Sequence, residues 1–149
     1  MSTHQQLLYH VVFSTKNRKR YLHEGIRESV FAYMAGTCKG LGGFAIKVNG
    51  FYDHVHLLVR IRARVAVSEF IGQLKASTSK HINDTQGRIA KFGWQNGYGA
   101  FTVSVSRKEA VYQYIEGQME HHSNQTFQQE YLHLLNKHEV EYDERYLFD

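Results

Sequence analysis

The chain has no proline and a single cysteine, Cys38, among its 149 residues. A lone thiol closes no internal disulfide and builds no Cys-rich zinc site, so a reducing compartment fits best and any metal must be held by His, carboxylate or amide. Without proline, element boundaries have to be read from glycine, asparagine and changes of hydrophobic period. No apolar run approaches the length of a membrane span, and the opening Met-Ser-Thr-His-Gln-Gln lacks the positive start and apolar core of a signal peptide. The reading is a soluble, cytoplasmic protein with no membrane partner. Charge of one sign is in modest excess: 18 Lys and Arg against 14 Asp and Glu, a net +4, which suits a polyanionic partner without requiring one. With 42% apolar residues, the length suits one domain with a real core, spanning 1–149.

From Leu7 to Ser14 the residues alternate and are rich in β-formers, which predicts a first strand. After the basic cluster Lys16, Arg18, Lys19 and Arg20, apolar residues recur near helical spacing at Ile26, Val30, Met34 and Leu41, until the glycines between Gly40 and Gly43. Phe44, Ile46 and Val48 alternate into a second strand, Asn49-Gly50 reads as a turn, and Val55, Leu57, Val59 and Ile61 alternate in a third. Val67, Phe70, Ile71, Leu74 and Thr78 make the stripe of a helix from about Ala66 to Asp84. A fourth strand follows, with Phe101, Val103 and Val105 on one side. The period then becomes helical from Glu109 through His122, and a further amphipathic helix carries Phe127, Tyr131, Leu134 and Leu135, ahead of an acidic and aromatic tail from Glu139 to Asp149.

Strand, helix, strand, strand, helix, strand is the order of the ferredoxin-like, RRM-like antiparallel sheet. The expected class is α+β, β-α-β-β-α-β with additional C-terminal helices. Such a sheet carries both crossover helices on one face, and its other face stays open unless the C-terminal helices, its own or a partner's, cover it.

In Asp53-His54-Val55-His56-Leu57, strand alternation sends Val55 and Leu57 to one face and both imidazoles to the other. Same-face neighbours lie about 6.6 Å apart, close enough to converge on one ion. With ten His in the chain, about 0.7 such His-x-His pairs arise by chance, so the motif carries weight only in combination. Two histidines leave a metal site incomplete. The helix from Glu109 offers Gln118, and Tyr114 lies four residues before it on the same helix face. Tyr112 is turned about 200° away from that face. Lys16, Arg18, Lys19 and Arg20, with Arg60, Arg62 and Arg64, either track a phosphate backbone or form a solvated surface. Asp53 either buttresses a histidine or ends a turn, and His10 either neighbours the site or packs. His121 and His122 are either donors behind the site or an exposed pair. Trp94, Tyr98 and Phe101 either stack bases or, for at least two of them, fill the core.

Taken in order, Tyr9-His10-Val11-Val12-Phe13-Ser14-Thr15-Lys16, Asp53-His54-Val55-His56-Leu57-Leu58, Trp94-Gln95-Asn96-Gly97-Tyr98-Gly99-Ala100-Phe101, Tyr112-Gln113-Tyr114-Ile115-Glu116-Gly117-Gln118 and Tyr142-Asp143-Glu144-Arg145-Tyr146-Leu147 carry a likeness that covers nearly the whole chain. The sequence resembles the single-tyrosine HUH transposases of small bacterial insertion sequences that move as single-stranded DNA, together with their REP-associated tyrosine transposase relatives. The resemblance implies that His54, His56 and Gln118 bind Mg²⁺ or Mn²⁺ and that Tyr114, on a C-terminal helix, attacks a DNA phosphate. A 5′-phosphotyrosine and a free 3′-hydroxyl would result. It also implies hairpin-containing single-stranded element ends as partners, and a homodimer whose active sites are shared between subunits. Imidazole also suits zinc. The competing readings are a non-catalytic ferredoxin-like nucleic-acid-binding module, a His-ligated metal hydrolase that uses water, and a domesticated host relative of the transposases.

Overall fold

The computed structural model of the protein describes residues 2–86, 91–122 and 124–148. The first alternating run folds as strand β1, Leu8–Ser14, followed by β2, Gly43–Gly50, β3, His54–Ile61, and β4, Gly99–Val103. They form one antiparallel sheet in the order β2-β3-β1-β4. Helices α1, Glu24–Gly40, and α2, Val67–Gln86, are the crossovers, so the expected α+β arrangement is the observed one. Beyond β4 come α3, Lys108–Glu116, α4, Gln118–His121, and α5, Phe127–Lys137. No helix among the described residues is long and apolar enough to cross a membrane.

The pleat sorts the strand residues into two sets. Val11 and Phe13 of β1 and Val55, Leu57 and Val59 of β3 pack with Met34, Cys38, Phe70, Ile71 and Leu74 of α1 and α2. Trp94 joins them, its ring 4.8 Å from Phe13 and its Nε1 donating to the Lys75 carbonyl at 3.1 Å, and Tyr98 packs against the same cluster. Val12 and Phe101 face the other way, onto Phe127, Tyr131, Leu134 and Leu135 of α5. In this single chain the second face of the sheet is therefore covered by its own last helix, and Trp94, Tyr98 and Phe101 all serve packing.

Simple periodicity fails at four places, each for a local reason. In β2 the register shifts between Ala45 and Lys47, so Ile46 is the extra residue of a bulge; Ala45 and Val48 turn to the core and Phe44 is left 45% exposed. Asn49-Gly50 stays in the strand, paired with His56 and Val55, and the turn is Phe51-Tyr52-Asp53, closed by the Phe51 N–H on the His54 carbonyl at 3.0 Å. Gly50 is required there because a Cβ would collide with that same carbonyl oxygen. Val105 leaves the strand for a 3-10 turn, Val105–Arg107, in which the Ser104 hydroxyl accepts the Ser106 N–H. The expected helix from Glu109 to His122 is interrupted at Gly117, between α3 and α4.

Candidate active site

Strand β3 delivers His54 and His56 to the α5 side of the sheet, where both are fully buried. The β1–β3 register sets Val12 opposite His56 and His10 opposite Leu58, which brings His10 Nε2 to 2.7 Å from His56 Nδ1. Asp53, last residue of the hairpin turn, accepts from His54 Nδ1 at 2.7 Å. That bond fixes the ring and presents Nε2 to the interior, as outer carboxylates do for metal-bound imidazoles.

Helices α3 and α4 deliver the tyrosine and the amide. The Gly117 N–H still reaches the Gln113 carbonyl at 3.1 Å and the His121 N–H reaches the Gly117 carbonyl at 3.0 Å, so the break shifts the helix without rotating Gln118 off the Tyr114 face. The segment is tied to β2: Asn49 Nδ2 donates to the carbonyls of Ile115 and Glu116 at 3.0 and 3.1 Å, Lys47 pairs with Glu116, and Ile115 is buried. Gln118 Oε1 lies 3.0 Å from His54 Nε2, and the Tyr114 ring sits 5.8 Å from that of His56. Tyr112 points elsewhere, its ring beneath the Lys47 ammonium at 5.2 Å.

Two further residues complete the cluster. Glu130 of α5 is fully buried, with its Oε1 3.0 Å from His56 Nε2, 2.9 Å from His122 Nε2 and 3.3 Å from His54 Nε2. Its Oε2 accepts from Gln118 Nε2 at 3.0 Å and from the Tyr114 hydroxyl. His122 is held by its other nitrogen, Nδ1, 2.6 Å from the Gln125 carbonyl. Glu130 was not among the sequence candidates. Its signal is a carboxylate in the middle of the apolar stripe of α5, three residues after Phe127 and four before Leu134.

Electrostatics follow from the burial. Desolvation disfavours a charged His54, but hydrogen bonds with Asp53 and Glu130 outweigh it and raise its pKa to about 9. At His56 and His10 burial prevails and lowers both, the neighbouring His56 adding to the depression of His10. Burial also opposes ionisation of Glu130, yet the surrounding imidazoles of His56, His122 and His54 hold it well below the usual carboxylate range. Burial, then the Glu130 charge, push the Tyr114 phenol well above its ordinary value of 10. An ionised carboxylate thus sits beneath a firmly protonated phenol.

The donor set fits a divalent cation. Ligand atoms of His54, His122 and Glu130 all lie within 4.8 Å of one another, a spacing suited to bonds of about 2.0–2.3 Å to a shared ion. His56 Nε2 and Gln118 Oε1 border the same space.

The basic candidates divide. Arg18 and Arg20 line a hollow of about 470 Å³ with Asp53, His122 and Phe51, next to the histidines. Arg20 stacks on Tyr52 at 4.1 Å, and Arg18 lies over Phe148 and donates to its carbonyl at 3.2 Å. Lys16 and Lys19 belong to the same turn, in which Lys19 gives its carbonyl to the Thr15 hydroxyl. Arg60 and Arg62 lie at the other end of β3, roughly 13 Å or more from His56 by strand rise, around the exposed Phe44. On the Tyr114 side a second groove of about 240 Å³ is lined by Arg107, His133, Lys137 and His138. His121 packs its ring 4.7 Å from Tyr114 at the surface.

Comparison with known proteins agrees with this fold. The model of the family described as IS200-like transposase matches residues 3–118. The transposase for insertion sequence element IS200 of Salmonella typhimurium is 28% identical over 118 residues, covering 75% of this chain and 76% of that protein. The ISDra2 transposase TnpA of Deinococcus radiodurans is 25% identical over 118 residues, covering 76% of this chain and 84% of its own length. Among solved structures, a Deinococcus radiodurans protein described as a transposase superposes with a TM-score of 0.63 at 22% identity, over 79% of this chain and 95% of that one. A REP-associated tyrosine transposase bound to a REP hairpin superposes with a TM-score of 0.59 at 12% identity, over 82% and 74%. At those identities the two structures speak for the fold.

Proposed function

Because the chain belongs to the family of IS200-like transposases, whose pattern it carries over residues 3–118, we propose that it moves DNA in the cytoplasm by cutting and rejoining a single strand, with Tyr114 as nucleophile. The observation that supports this most is the meeting of the Tyr114 hydroxyl with the side chains of His54, His56 and Gln118 at one buried carboxylate. A phenol so firmly protonated is a poor nucleophile on its own. Mg²⁺ or Mn²⁺ held by His54, His56 and Gln118 would supply Lewis acidity at the scissile phosphate and stabilise the developing phenolate.

Tyr114 Oη forms a bond to phosphorus as the bond from phosphorus to the 3′ oxygen breaks, and the proton lost by the phenol is balanced by the one gained at the 3′ oxygen. The products are a 5′-phosphotyrosine and a free 3′-hydroxyl. Attack of another 3′-hydroxyl on the same phosphorus reverses the step and frees Tyr114. Asp53 keeps His54 oriented throughout, and the apolar packing of α5 keeps water from the buried side of the cluster.

The substrate we assign is a hairpin-bearing single-stranded end, in line with the REP hairpin bound by one structural relative. The strand would approach the cluster past Arg18 and Arg20, with Lys16 and Lys19 beside them, while Arg60 and Arg62 would meet flanking DNA. We extend the proposal to a homodimer with shared sites. In one chain the Tyr114 segment packs on its own histidines, and the same contacts are available between two chains that exchange it beyond the Val105–Arg107 turn.

Trapping tests the chemistry: incubation with Mg²⁺ and hairpin-ended single-stranded DNA should yield an SDS-stable protein–DNA adduct. A free 5′-phosphate without adduct would point to a hydrolase, and binding without any scission to a recognition module. Mixing tests the sharing. A His54→Ala, His56→Ala subunit and a Tyr114→Phe subunit should regain cleavage together after subunit exchange, whereas verified heterodimers that stay inactive would assign each site to a single chain.

A further inference from the structure

The ligand set that the family resemblance implies comes from β3 and α4, yet the centre of the cluster is a residue of α5. Glu130 interrupts an otherwise apolar stripe, Phe127, Tyr131 and Leu134, at a position with no solvent exposure. Placing a carboxylate there carries a heavy desolvation cost, which is offset only when every lone pair is engaged. Here every one of its partners is itself part of the site. Three imidazole nitrogens, of His122, His56 and His54, stand 2.9, 3.0 and 3.3 Å from the one oxygen Oε1. Three rings converging on a single point from two different elements are arranged as ligands around a centre rather than as a row of pairwise contacts.

His122 fits the same pattern. Its Nδ1 is occupied at the Gln125 carbonyl at 2.6 Å, which leaves Nε2 directed at the centre, just as Asp53 directs His54. A histidine with one nitrogen anchored to a backbone carbonyl and the other aimed at a shared point has the orientation expected of a ligand.

Resting on the metal reading above, we propose that Glu130 and His122 are protein ligands of the cation alongside His54 and His56, with Gln118 at its edge, and that this shell selects Mn²⁺ over Mg²⁺. Mg²⁺ takes oxygen and keeps most of its water, whereas three imidazoles with one carboxylate suit a transition ion. Glu130 then has two functions in one side chain: Oε1 faces the ion and Oε2 holds the Tyr114 hydroxyl, so the ion and the nucleophile are referred to one rigid helix.

The test is direct Mn²⁺ binding to the full chain, read from the six-line electron paramagnetic resonance signal of the free ion, without DNA or turnover. Wild type should take up one Mn²⁺ per chain, displaced only by a large excess of Mg²⁺. E130Q and H122A should each weaken binding at least about tenfold, the loss found even for partners one step removed from a metal. E130D, which keeps the charge and shortens the arm, should fall between wild type and E130Q, and serves as the reading if E130Q does not melt as a folded protein.

The sign of the Glu130 effect is decisive. E130Q or E130D binding as tightly as wild type, or more tightly, would mean that the carboxylate only fills the ion's place, and would overturn the assignment while leaving the two-histidine site intact. Unchanged binding in H122A would remove His122 from the set. Equal affinity for Mg²⁺ would overturn the claimed selectivity. No Mn²⁺ uptake by folded wild type would overturn both this proposal and the metal reading beneath it.

Discussion

The two faces of the sheet are made from neighbouring residues of the same strands, and they do opposite work. On the α1 and α2 side Val55, Leu57 and Val59 enter a cluster of aliphatic and aromatic side chains. On the α5 side, one residue out of phase, His54 and His56 enter a buried polar network that ends on Glu130. Val55, Leu57, Val59, His54 and His56 are all fully buried. The difference is that the first is held together by apolar area alone, whereas the second sets beside its own apolar cluster a network of charge and hydrogen bonds, which are directional and respond to protons and cations. Because strand side chains alternate, a fold can keep its stability on one face and its chemistry on the other with no linker between them.

Substitutions at adjacent positions should therefore separate the two properties. The largest effect is expected from His56→Ala, which should reduce DNA cleavage by at least about a thousandfold while leaving DNA affinity within a few-fold, as gel assays of both would report. Excess EDTA on the wild type should do the same, and full cleavage in either case would break the comparison. Leu57→Ala, one residue on, should instead cost about 2–5 kcal/mol of stability in denaturant titration, since a fully buried leucine leaves a cavity. The folded fraction of that variant should still cleave. If Leu57→Ala lost cleavage while fully folded, the two faces would not be independent.

A smaller effect should appear with pH. Raised to about 9 in the metal-free protein, His54 contributes stability that is complete below its ordinary value of about 6.5 and fades as pH rises through 9. Glu130, held low, contributes above the ordinary carboxylate value of about 4.5 and loses that contribution as pH falls below it. His56 and His10, held below their ordinary value, cost stability as pH falls beneath about 6.5. The melting temperature in EDTA should thus be highest near pH 6.5 and decline toward pH 9 and toward acid, whereas Leu57→Ala should lower the whole curve without changing its shape. Near neutral pH, cation uptake should release a proton from His54. A flat profile from pH 6.5 to 9 would show that the His54 charge adds nothing to folding.

Much of this was legible in the residues. The period-2 runs through Val11 and Leu57 and the helical stripes through Val30 and Phe70 identify the sheet and its two crossover helices, because burial on one side leaves a regular mark in sequence. The His54 and His56 pair and the Tyr114 and Gln118 pair could be placed on shared faces for the same reason. What sequence missed depends on contacts between distant segments. The bulge at Ile46 is a property of β2 against β3, and Gly50 reads as a turn residue although its role is to admit the His54 carbonyl. Glu130 escaped because nothing local separates a buried glutamate from an exposed one; only its place amid Phe127, Tyr131 and Leu134 hints that water is absent. His10 and His122 each had two readings in the sequence, and the register of β1 on β3, the short helix α4 and the Gln125 carbonyl bring them to the cluster.

The central proposal is that the face carrying Glu130 holds the nucleophile, and that of Tyr114 and Tyr112 it is Tyr114 that is in position to act. Tyr112, two residues away, lies against Lys47 and outside the cluster. Peptide mapping of the trapped protein–DNA adduct measures this directly. The DNA-linked peptide should carry its modification on Tyr114, with adduct lost in Tyr114→Phe and retained in Tyr112→Phe. A modification on Tyr112, or an adduct that survives Tyr114→Phe, would contradict the account.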